Sequence, residues 1–125
     1  MKREMVVGAI ALHLLAAATC VHAQEATERF IPIGQSPGLS GKLTYIGSIQ
    51  AVDAGARTLT VGPAASPLKA RVSDRTAIWI DRSRTKEANT VGSFADLRSG
   101  RRVEIKWDAK VKDMATWIKV EAAPL

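Results

Sequence analysis

The side chains of this sequence that could do chemistry are scattered along the chain. The carboxylates Asp53, Asp74, Asp81, Asp96, Glu104, Asp108, Asp113 and Glu121 include candidates for a paired acid and base of the glycosidase kind. Most of them fall in expected turns, a helix cap or strand exteriors, and no pair is set apart by spacing. Neither a phosphate-cradling glycine loop nor a calcium loop of the EF-hand type occurs. His13, Cys20 and His22, the residues most often used as nucleophile, base or soft-metal ligand, all lie in the first 23 residues. Two further groups suit contact better than reaction. Trp79, Trp107 and Trp117 offer rings for stacking, and Arg82, Arg84 and Lys86, with Arg98, Arg101 and Arg102, offer positive charge.

The first 23 residues read as a signal peptide. Lys2 and Arg3 precede an apolar run from Met5 to Thr19, and Val21-His22-Ala23 presents small residues where a signal peptidase cleaves. The expected mature chain begins at Gln24. A membrane-crossing helix needs roughly 20 apolar residues, so the run is too short for a permanent span. Ala17-Ala18-Thr19 lacks the pattern that would make Cys20 a lipidated residue. The expected compartment is periplasmic or extracellular. Removal of the leader leaves no cysteine and no histidine, which excludes disulfides, Ser-His and Cys-His triads and most transition-metal sites. No cofactor is expected. Lys2, Arg3 and Glu4 leave together, taking the formal charge from +6 to +5. Beyond the membrane, a basic domain meets lipid head groups, acidic glycans and acidic proteins; nucleic acid is an unlikely partner there.

Residues 24–40, with two prolines and two glycines, predict an extended lead-in carrying Phe30, Ile31 and Ile33. From Gly41 to Ala122 short alternations bounded by turn residues predict strands. Leu43 to Val52 is the first, with a bulge near Gly47-Ser48 or Gln50-Ala51 that would bring Ile46, Ile49 and Val52 to one face. Arg57 to Val61 places Leu59 and Val61 inward. The third runs from Leu68 to Val72 and, after an interruption at Asp74-Arg75, from Thr76 to Asp81. Ser93-Phe94-Ala95-Asp96 matches a capping box and predicts a helical turn from Phe94 to Arg98. Arg102 to Asp108 and Met114 to Ala122 complete the set. The expected fold is all-β: a small five-stranded OB-like barrel with one short helix between strands 3 and 4, an SH3-like barrel or small sandwich being the alternative.

Gly47-Ser48-Ile49-Gln50-Ala51-Val52-Asp53, Thr58-Leu59-Thr60-Val61, Ser73-Asp74-Arg75-Thr76 and Asp96-Leu97-Arg98-Ser99-Gly100-Arg101-Arg102-Val103 follow one another in an order that resembles the bacterial exported family called domain of unknown function 5666. The resemblance covers about residues 44 to 122 and implies an OB-like barrel of unassigned role. The order is also similar to that of the small periplasmic copper and silver chaperones. There the likeness stops at the ligands: no histidine survives cleavage, and Met114 is the one methionine of the mature chain.

Trp107 shares its alternation with Val103 and Ile105 and is expected in the core. Trp79 and Trp117 oppose the apolar faces of their strands. They form either an aromatic platform for a ligand or a second cluster under the lead-in. Arg82, Arg84, Lys86, Arg101 and Arg102 form a patch if the loop after Asp81 folds back, and otherwise a solvated surface. The sequence thus predicts a non-enzymatic exported binding or adaptor module contacting an envelope protein. The alternative is binding of an acidic oligosaccharide, lipid head group or other polyanion through a basic, tryptophan-bearing face.

Overall fold

The computed structural model describes residues 27–36 and 44–123. The expected leader, the remainder of the lead-in and Leu43 lie outside them. Seven strands follow in chain order: β1 (Thr44–Asp53), β2 (Thr58–Val61), β3 (Leu68–Arg71), β4 (Ala77–Asp81), β5 (Thr90–Val91), β6 (Arg102–Trp107) and β7 (Ala115–Glu121). They form one sheet in the order β3-β2-β1-β6-β7-β4-β5. Every neighbouring pair is antiparallel except β4 and β7, which run parallel. No helix among the described residues is long and apolar enough to cross a membrane.

This open, mixed sheet corrects the expected five-stranded OB-like barrel. The physical cause is the turn at Ser73–Thr76. The Thr76 amide donates to the Ser73 carbonyl at 3.1 Å, and the Thr76 hydroxyl accepts from the Ser73 amide at 3.0 Å and donates to the Ala115 carbonyl at 2.7 Å. What reads as one interrupted strand is therefore two. β3 pairs with β2, while β4 crosses the molecule to lie beside β7. A single bridge between Arg71 and Met114 brings β3 near the start of β7, but no ladder extends from it.

The helix is also misplaced by the sequence reading. The capping box does form, with the Ser93 amide donating to Asp96 Oδ2 at 2.7 Å. It opens only a 3-10 turn, Phe94–Asp96, because Leu97 is extended (φ −82°, ψ 98°) and buried in the core. The α-helical turn of the described residues lies before the strands, at 27–29. Residues 27–36 are turned rather than extended: the Phe30 amide reaches the Thr27 carbonyl, and the Gln35 amide that of Pro32.

β1 bends the sheet. Its first half, Thr44 to Ser48, pairs with β6, and its second half, from Ile49, pairs with β2, with the expected bulge between Ile49 and Ala51. Ile49 and Val52 join the core, but Ile46 faces the other way, opposite Glu104 and 41% exposed. Tyr45 takes the inward position across from Ile105. Gly47 leaves room for the Tyr45 ring, since a Cβ there would lie 2.5 Å from the phenolic oxygen.

One apolar cluster joins Leu59, Val61, Ala70 and Val72 of the β2–β3 wing to Ile78, Val103, Ile105, Ile118 and Val120 of the β6–β7–β4 wing, with Trp107 packed at its margin. The sheet therefore coils until its two wings share a core. Ile105, fully buried at the centre of β6, tests this arrangement. Ile105→Ala is expected to cost about 2–5 kcal/mol through lost burial and the cavity left behind. The check is a lower urea midpoint at unchanged slope.

Candidate functional site

The face of β6, β7 and β4 turned away from the core is built in rows by strand register. Lys106, Trp117 and Ala77 form one row, and Glu104, Lys119 and Trp79 the next. One further step along, Asp81 lies beside Glu121, near the start of β6 at Arg102. On most exposed sheets such a face is polar and wet. Here Trp79, Trp117, Asp81, Glu104 and Lys119 are all buried, Lys119 to 0% exposure.

Residues 27–36 account for that burial. Lys119 Nζ donates to Glu28 Oε1 at 2.8 Å and to Ser36 Oγ at 3.1 Å, and the Ser36 hydroxyl donates to Glu28. Both ends of the segment thus converge on one ammonium. Between them the Ile33 amide donates to Asp81 Oδ2 at 2.8 Å and the Gly34 amide to Glu104 Oε1 at 3.1 Å. Asn89 Nδ2 donates to the Arg29 carbonyl at 3.0 Å. Lys119 also lies 4.6 Å from the Trp117 ring centroid, and Trp117 and Trp79 tilt together at 5.6 Å.

Burial pushes the Glu28 carboxyl up, but its hydrogen bonds from Lys119 and Ser36 and the nearby ammonium charge outweigh this and hold it below its ordinary value. Asp81 behaves alike: desolvation raises it, while the amide of Ile33 and the bonds from Ser83 bring it below the usual carboxylate range. Asp108, half-buried, is lowered by hydrogen bonds that its carboxylate accepts from the amides of Lys110 and Val111 in the β6–β7 turn.

Trp79 and Trp117 therefore sit inside a second cluster, and neither is an exposed stacking platform. The basic residues fare differently. β4 ends at Asp81 beside Glu121, and β6 begins at Arg102, so Arg82, Arg84 and Lys86 reach the same end of the sheet as Arg101 and Arg102. Arg84 pairs with Glu121 at 2.6 Å with its side chain 75% exposed. Arg82 Nε donates to the Thr90 hydroxyl at 3.0 Å, and Lys86, at φ 61°, closes the 3-10 turn Ser83–Thr85. Arg101 donates to the Asp96 carbonyl at 3.4 Å, and Arg102 is exposed. A hollow of about 220 Å³ opens among Asp81, Arg82, Arg84, Thr85 and Glu121.

Glu28, Ser36 and Lys119 were not singled out by sequence, and Glu104 was named only among the scattered carboxylates. Strand alternation sends Glu104 and Lys119 outward, and outward reads as solvated. The available signal was local: Ala77–Asp81 is apolar on both faces, which demands a cover. Among the described residues, no group of three or more His, Cys, Asp or Glu side chains is placed to hold a metal ion. The chain matches no protein-family model, no curated protein and no solved structure.

Two outcomes test the docked segment. Because the Glu28 and Asp81 carboxyls are depressed in the folded chain, their contribution is complete above the ordinary carboxylate range near ~4 and is lost as pH falls through their lower folded values. Acidification below pH ~4 is thus expected to raise acrylamide quenching of tryptophan before far-ultraviolet ellipticity collapses. Separately, Lys119→Ala removes the ammonium that Glu28 and Ser36 share. Breaking such a pair from one side costs about 3–5 kcal/mol where the other charge stays buried. Here release of the segment returns Glu28 to water and limits the loss. The expected readout is red-shifted, quenchable tryptophan emission with β-sheet circular dichroism retained.

Proposed function

We propose that this chain is an exported, non-enzymatic binding or adaptor module that contacts an acidic surface of an envelope protein through the basic end of its sheet. The observation carrying this reading is the convergence of Arg82, Arg84 and Lys86 with Arg101 and Arg102 at one end of β4 and β6. Among them Glu121 is held by Arg84, which leaves a surplus of positive charge directed to solvent. Guanidinium groups suit this task because their planar donors match carboxylates two at a time. The carboxylates of Glu28, Asp81 and Glu104 are occupied in holding residues 27–36. That use supports a role by surface contact over one by acid and base chemistry.

A second reading is favoured by the same arginines: an acidic oligosaccharide or lipid head group as the anion. Its aromatic component is dropped, since Trp79 and Trp117 are covered.

The test compares the purified protein with an Arg82→Ala, Lys86→Ala, Arg102→Ala variant in cross-linked capture from an envelope extract. The expected result is a protein retained by the parent and lost by the variant, with retention falling as salt rises and the Debye length shortens from ~10 Å at 0.1 M. Capture unaffected by the substitutions, or turnover of any substrate by the parent, overturns the reading. Binding to anionic vesicles or acidic glycans with no captured protein selects the second.

A further inference from the structure

The outer face of β6, β7 and β4 already holds a peptide, and the chemistry of that contact defines what the face recognises. A sheet that needed only to be covered would be served by apolar residues, because replacing buried ion pairs with packed hydrophobic side chains is often neutral or stabilising. This face instead commits Lys119, Glu104 and Asp81, each buried. Their contacts with residues 27–36 are a carboxylate and a hydroxyl on the ammonium, and backbone amides on the two carboxylates. Two of the four contacts are with main chain. Such a face reads an exposed backbone bearing an acidic side chain, rather than one particular sequence.

We propose that this face is a peptide-binding site for a segment of another protein that presents a carboxylate to Lys119 and successive backbone amides to Asp81 and Glu104, and that residues 27–36 occupy it as a tethered, displaceable ligand. Because the occupant belongs to the same chain, its return to the face is an intramolecular event. An incoming segment therefore binds with an affinity reduced by the fraction of chains whose face is open. Displacement exchanges one carboxylate on Lys119 for another, so the ammonium is paired in both end states. Trp117, 4.6 Å from Lys119 Nζ, and Trp79 against it report the exchange.

The probe is a fluorophore-labelled synthetic peptide with the sequence of residues 26–37. It is titrated against the unaltered protein and against a Glu28→Ala, Ser36→Ala variant, in which the tethered occupant is weakened and the face kept. The expected result is at least tenfold tighter binding to the variant. The preference is abolished when the peptide's own glutamate is replaced by glutamine, or when Lys119→Met is added. Equal affinity for parent and variant, or indifference to the peptide's carboxylate, overturns the proposal. Concentration-dependent dimers of the variant without peptide binding assign the face to a second copy and overturn it too. Should the variant fail to fold, hydrogen exchange on the unaltered protein decides. Peptide in excess is expected to accelerate exchange of the Ile33 and Gly34 amides and to leave those of Ile105 and Ile118 unchanged; no acceleration counts against the site. None of these substitutions touches Arg82, Lys86 or Arg102, so failure here is distinct from failure of the basic-end reading.

Discussion

An ammonium removed entirely from water governs this structure. Lys119 sits in the middle of β7 with no exposed surface, and taking such a group out of solvent costs several kcal/mol, even after relaxation, unless its protons find partners. Within the sheet it lies against the Trp117 ring, between Glu104 and Trp79 on the neighbouring strands. The hydrogen-bond partners come from Glu28 and Ser36, 91 and 83 residues away along the chain. The folded sheet and the docked N-terminal segment are therefore coupled. Where the segment is docked, the ammonium is satisfied and the tryptophans are dry. Where it is released, water must reach all three. The ion pair adds position more than strength, since an apolar contact of similar volume would hold the segment as well. A charge with two named acceptors fixes which residues of the segment lie over which strand.

The other side of the sheet obeys a simpler rule. Seven short strands cannot enclose a core by lying flat, and a sheet with one dry face must bury it against something. Here that something is the sheet itself. The bulge in β1 and the change of partner at Ile49 turn the β2–β3 wing over the β6–β7–β4 wing, and Leu59 and Val61 meet Ile118 and Val120 in a single cluster. The parallel pairing of β4 with β7 follows from the same coiling. Once β3 has paired antiparallel with β2, the chain leaves the turn at Thr76 on the opposite wing, and there it enters beside β7 in the same direction. The two edges that remain are short. β5 has two residues and β3 has four, so little unpaired backbone is presented for accidental sheet extension.

Local grammar was legible in the sequence, and global pairing was not. Leu59 and Val61 alternate with Thr58 and Thr60, and the strand forms as read. The three-residue spacing of Ile49 and Val52 announces a bulge, and the bulge is there. The capping box of Ser93 and Asp96 forms as well, because its geometry involves only neighbours. The misreadings share a different character. Ser73–Thr76 looks like a break within one strand, yet it separates two strands of opposite wings, and nothing in four residues reveals which partner each half will choose. Ile46 fails for a related reason. Its spacing fits the core, but Tyr45 takes the inward place beside Gly47, and only the pairing with β6 decides between them.

The same limit explains why the outer face escaped notice while the basic end did not. Charged residues at alternate strand positions are ordinary exterior in any single strand, and Lys119 and Glu104 differ from Lys106 and Arg102 only in what lies above them. That cover is a segment far away in sequence, so the distinction exists only after folding. Arg82, Arg84 and Lys86 are close along the chain and stand out unaided, and the fold adds Arg101 and Arg102 by placing the end of one strand near the start of another. The two surfaces also differ in how they treat charge. On the outer face every buried carboxylate meets an amide or an ammonium, and the face is closed. At the sheet end Arg84 is paired with Glu121, while Lys86 and Arg102 are exposed. Screened by salt and held on long side chains, they contribute little to folding.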